Sequence, residues 1–92
     1  MVNEERLVQL FIKLVENDSV SGREEKVGDF LKQYFRQRNL QVEEDNAGDV
    51  LQGSSGNLLV KIAGTVDKPP LLFAAHMDTV KPGEGIKAIV GN

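Results

Sequence analysis

At 92 residues, with 40% hydrophobic and 27% charged side chains, the chain reads as one globular domain or a piece of a larger one. A net charge of −3 with interspersed signs leaves no basic stripe for nucleic acid, so no nucleic-acid partner is expected. The absence of cysteine removes disulfides and thiolate metal ligands together. The start, Asn3-Glu4-Glu5-Arg6, is acidic where a signal peptide would be basic. The longest apolar run, Leu71 to Ala75, is too short to span a bilayer. A cytoplasmic setting and no membrane partner are expected.

Leu7, Leu10, Phe11, Leu14 and Val15 repeat with the period of an amphipathic helix. Asn3 can cap it, Glu4 and Glu5 suit the positive end of its dipole, and it should stop near Asn17-Asp18. Ser19 to Gly22 reads as a loop. Ser21-Gly22-Arg23-Glu24 then matches a capping box that opens a second helix. Val27, Phe30, Leu31, Tyr34 and Phe35 form its apolar stripe, and Arg36, Arg38 and Asn39 are C-terminal signals. Both stripes are expected to face a core.

From Leu40 the period changes to two, so Leu40-Gln41-Val42-Glu43 predicts a half-buried strand. Asp45 to Asn57, with three glycines and two serines, predicts a loop. Leu58 to Ile62 predicts a second strand, Gly64 to Pro70 a turn, and Leu71 to Ala75 a third strand apolar on both faces. The expected architecture is therefore α/β, two helices followed by three strands of a mixed sheet. Two helices cover only one face of such a sheet, whereas Leu71 to Ala75 asks for cover on both. Part of the fold is expected to lie outside residues 1–92, leaving apolar surface open to self-association.

The chain's only histidine follows that third strand. If the strand extends through Asp78, His76 and Asp78 share one face at its C-terminal end, where open α/β sheets bind ligands. A neutral imidazole is a good zinc ligand, and a carboxylate on its other nitrogen fixes the tautomer and raises its basicity. The bland alternative is a histidine satisfied by the backbone or by Asp78, with Asp78 opening the next turn. One imidazole does not complete a catalytic zinc site, which needs three protein ligands and an open position.

Three stretches together resemble a family signature. They are Ser21-Gly22-Arg23-Glu24, Gly56-Asn57-Leu58, and His76-Met77-Asp78-Thr79-Val80 with the Pro82-Gly83 loop behind it. In this order they resemble the co-catalytic zinc peptidases and deacylases, a family that includes peptidase T, carboxypeptidase G, acetylornithine deacetylase and succinyl-diaminopimelate desuccinylase. The peptidase T-like branch is the nearest in look. The resemblance runs from about Glu4 to Ile89.

It implies that residues 1–92 are the N-terminal portion of a single zinc-hydrolase domain. It implies His76 as the first metal ligand and Asp78 as the catalytic aspartate that orients it. A complete site would hold two zinc ions, with the other ligands and the general base supplied by residues beyond these. Glu43-Glu44 precedes the histidine, the wrong order for the family's Glu-Glu pair, and reads as a solvated edge; Glu84 reads as surface. The implied activity is hydrolysis of a peptide or amide bond, as an aminopeptidase acting on short peptides. A deacylase of N-acyl amino acids and a non-catalytic α/β interaction module are the alternatives.

Overall fold

A computed structural model describes residues 2–91. Helix α1 spans Glu4–Val15, and Asn3 caps it as expected, its side chain accepting from the Arg6 N–H at 3.0 Å. Helix α2 spans Glu25–Arg36. Asn39, at φ 60°, ends the helical stretch in a left-handed residue. There the Leu40 N–H donates to the Phe35 carbonyl and the Asn39 N–H to the Arg36 carbonyl. The expected capping box forms only in part. The Glu24 carboxylate does reach back, but it accepts from the Gly22 N–H at 2.6 Å, and Ser21 makes no side-chain cap.

Strand β1, Val42–Glu44, pairs antiparallel with strand β2, Leu58–Val60, with Val42 opposite Val60 and Glu44 opposite Leu58. Helix α2 packs on both strands. The segment between the strands is a loop, as expected, but it contains a one-turn helix, α3, at Ala47–Val50. Asp45 makes that turn. Its Oδ1 accepts from the N–H groups of Ala47 (3.0 Å) and Asn57 (2.8 Å), and its Oδ2 from the Asn57 amide.

Glu44 is exposed, as expected of the Glu43-Glu44 edge, but it is also paired. On the face of β1 turned toward α2, its carboxylate meets Lys32 Nζ at 2.5 Å and accepts from the Gly56 N–H at 2.8 Å. Glu43 is exposed, as expected.

The third expected strand is the main difference. Residues 71–75 form no ladder among the described residues, and Leu71, Leu72 and Phe73 are 85–88% exposed. A strand is held by its neighbours' backbone groups, and neither β1 nor β2 lies beside this one. The α1 stripe is likewise only half used: Leu10, Leu14 and Val15 are half-buried, whereas Leu7 and Phe11 are exposed.

Val20 and Val27 alone are buried apolar side chains among the described residues. The accessible surface is 8095 Å², against about 5,300 Å² for a compact monomer of this mass. The radius of gyration is 15.0 Å, against about 12 Å for a closed domain of this length. The molecule is a slab of 44 × 44 × 21 Å with an apolar face that it does not itself cover.

The carboxylates that bind the β1–β2 unit together give it a pH dependence. The Lys32 ammonium and the Gly56 N–H hold the Glu44 carboxyl below its usual value of 4.5. The Asn57 side chain, with the Ala47 and Asn57 N–H groups, holds Asp45 below 3.8. Carboxyls lowered by folding stabilise above their unfolded pKa and lose that contribution as pH falls through the folded value. Urea unfolding should therefore give a flat midpoint from neutral pH down to the ordinary carboxylate range, then a fall below it. Glu44→Gln should flatten that acid limb, and an unchanged limb would remove Glu44 from this account.

Candidate metal corner

The segment that carries His76 and Asp78 is positioned by the loop between α1 and α2. Val20 and Thr79 form a parallel bridge: the Thr79 N–H donates to the Ser19 carbonyl at 2.7 Å, and the Ser21 N–H to the Thr79 carbonyl at 3.2 Å. The Ser19 hydroxyl, on a residue only 1% exposed, donates to the Met77 carbonyl at 2.7 Å. From the sequence, Ser19 to Gly22 reads as a loop whose Ser21 opens a capping box. In the structure this loop is the clamp on residues 77–79.

Behind the clamp, the chain folds back tightly. Gly83 is buried, and a Cβ there would come within 2.6 Å of Thr79 Oγ1 and 2.7 Å of the Val80 carbonyl. Gly85, at φ 67°, donates its N–H to Asp18 Oδ1 at 2.8 Å, and the Ala88 N–H donates to Glu16 Oε2 at 2.9 Å. Residues 77–88 are thus tied to the C-terminal end of α1 and its following loop. Glu84 is exposed, as expected.

His76 and Asp78 face each other, as two residues apart on an extended segment should. Their approach, Nδ1 to Oδ1, is 3.7 Å, beyond hydrogen-bond length. The imidazole is 96% exposed and the Asp78 side chain 35%. Nothing packs the ring into one rotamer, so a small rotation closes the gap. Both residues line an open groove of about 1660 Å³ together with Ser19, Leu31, Leu58 and Phe73.

Among the described residues, no three His, Cys, Asp or Glu side chains gather as a metal cage. The donor set fits a metal in one limited sense. With Nδ1 turned to the carboxylate, Nε2 is left in the open and can accept a cation, which makes a single ligand with its supporting carboxylate. No helix among the described residues is long and apolar enough to cross a membrane.

No family model matches the chain. Over its full length it is 39% identical to the uncharacterized protein YqjE of Bacillus subtilis. Over 83 residues it is 34% identical to a peptidase M20 domain-containing protein of Schizosaccharomyces pombe, matching 85% of this chain and 19% of that protein. Its fold superposes on a tripeptidase of Staphylococcus aureus with a TM-score of 0.91 and 37% identity, covering 100% of this chain and 25% of that one. It superposes on aminopeptidase PepT of Bacillus cereus with a TM-score of 0.89 and 36% identity, covering 99% of this chain and 25% of that one.

The chain thus spans a quarter or less of the length of these relatives. The helices and small antiparallel sheet reproduce the matching part of a PepT-like fold, including the stretch 71–75 that forms no ladder among the described residues. Similarity in sequence and in fold converges on one group. The chain is similar in sequence to a peptidase M20 domain protein and in fold to PepT-like peptidases, the group that its three motifs resemble.

Proposed function

We propose that residues 1–92 are one portion of the catalytic domain of a metal-dependent peptidase, an aminopeptidase acting on short peptides. His76 is a metal ligand in this reading and Asp78 its orienting aspartate. The observation that carries it is the His76–Asp78 pair, facing one another at the end of a segment clamped by Ser19 to Ser21. The likeness to a tripeptidase and to an aminopeptidase supports short peptides as substrates.

The metal suited to an imidazole and carboxylates is zinc, two ions per complete site, which when bound polarise the scissile carbonyl and lower the pKa of water. What this chain's own residues do is narrower. His76 offers one nitrogen to the metal. Asp78 holds the proton on the other nitrogen, fixing the tautomer and making the ring a stronger donor. The clamp holds the backbone on either side of Asp78, so that little freedom is lost when the ligand engages. The remaining ligands and the general base come from elsewhere in the protein. Until the rest of the fold covers it, the exposed row at Leu71, Leu72 and Phe73 favours self-association.

Asp78→Asn tests the orienting role. In the full-length protein, zinc affinity should fall about 10–100-fold, the usual cost of losing a ligand's carboxylate partner. Competition against a chromophoric chelator reads it directly. Wild-type affinity in this variant would remove Asp78 from the site.

A further inference from the structure

We propose that Ser19 is a positioning residue for the His76–Asp78 pair, acting through the Met77 carbonyl. The proposal rests on the reading of that pair as a metal corner. Among the described residues two apolar side chains are buried, and Ser19, 1% exposed, is the buried polar one. Its hydroxyl donates at 2.7 Å to the Met77 carbonyl, which belongs to the peptide joining Met77 to Asp78. Rotation of that peptide plane would swing the Asp78 side chain relative to His76.

The register shows why a hydroxyl is needed there. The parallel pairing of Val20 with Thr79 is a single bridge. Were the ladder to continue one step, the Ser19 N–H would donate to the Met77 carbonyl. The ladder stops, and the side chain of the same residue makes that bond instead. Ser19 therefore grips the segment twice, with its hydroxyl on Met77 and its carbonyl on the Thr79 N–H. Among the described residues, the hydrogen bonds to the backbone of 77–79 all come from Ser19 and Ser21. An alanine would leave the second grip and remove the first.

The test uses the full-length protein, zinc chloride and an alanine tripeptide. Ser19→Ala should weaken zinc about 10-fold at the His76 site, the lower end of what loss of a ligand's support costs. It should lower kcat with little change in KM, and in zinc-free protein it should speed amide exchange at Asp78 and Thr79. Ser19→Thr, which keeps the hydroxyl, should restore most of the affinity. If Ser19→Ala fails to fold, Ser19→Cys is read in the same way, since a thiol donates only weakly. Val42→Ala, which truncates a half-buried side chain of β1 outside that loop, serves as a destabilised control and should bind zinc as the wild type does.

Loss of stability in Ser19→Ala or Ser19→Cys, with zinc affinity, kcat and exchange at 78–79 unchanged, would overturn the proposal. So would the same loss of affinity in Val42→Ala. His76→Ala separates this from the wider reading. If His76→Ala keeps both zinc ions, the metal corner itself is wrong; if it loses one while Ser19→Ala matches wild type, only the role of Ser19 falls.

Discussion

Full-length protein carrying His76→Ala should bind one zinc fewer than the wild type and lose on the order of a thousandfold in kcat/KM for a tripeptide. Alanine removes the one imidazole that the chain offers, and the fold should not notice. The ring is 96% exposed and accepts no packing, so its removal leaves no cavity. Stability without metal should therefore stay at the wild-type level while stoichiometry and rate fall together. Metal analysis of the purified protein with steady-state kinetics checks both. A variant that keeps its zinc and its rate would mean that His76 is the bland histidine, a polar end to an apolar segment.

The second large effect is on folding. Gly56→Ala should destabilise by about 3 kcal/mol or more, at the severe end for overpacking. A Cβ at Gly56 would overlap the Asp45 carbonyl oxygen and lie 2.8 Å from Asp45 Oδ1. Asp45 cannot retreat, because it directly follows β1, its N–H donates to the Asn57 carbonyl, and its carboxylate holds Ala47 and Asn57. The Gly56 N–H itself donates to Glu44, so a shift on either side breaks a bond.

The damage should reach the metal corner. The loop from Asp45 to Asn57 leans on the clamp loop, through the Ser54 N–H on the Gly22 carbonyl at 3.1 Å and the Ser54 hydroxyl on Glu25. Gly64→Ala is the control. A Cβ there meets nothing, and its stability should stay within about 0.5 kcal/mol of wild type. Equal urea midpoints for the two variants would show that the close approach at Gly56 is not what holds this loop.

What could be read from the sequence was what depends on neighbours in the chain. Asn3 as a cap, the stripes of α1 and α2, the stop at Asn39 and the strands around Val42 and Leu58 all rest on local pattern. The turn of helix at Ala47–Val50 was hidden because its maker, Asp45, bonds both to Ala47 and across the loop to Asn57. The pairing of Glu44 with Lys32 was hidden because the two sit on different elements. Leu71 to Ala75 carries the pattern of an inner strand, yet a pattern supplies no partner strand, and none lies beside it here.

For the site, spacing alone could place His76 and Asp78 on one face. It could not reveal Ser19, whose bond to Met77 spans 58 residues of sequence. The S-V-S-G stretch held a clue in retrospect. Ser21 fits a cap and is not one, while Ser19, with no local role to suggest, is the serine that is buried.

The central question is whether the imidazole of His76 binds metal with Asp78 behind it. Anomalous diffraction at the zinc edge, from crystals of the full-length protein, answers this directly. Zinc should lie about 2.0–2.1 Å from Nε2 of His76, with Nδ1 turned to the Asp78 carboxylate. Zinc found with no contact to His76, or bound to His76 with Asp78 turned away, would contradict it.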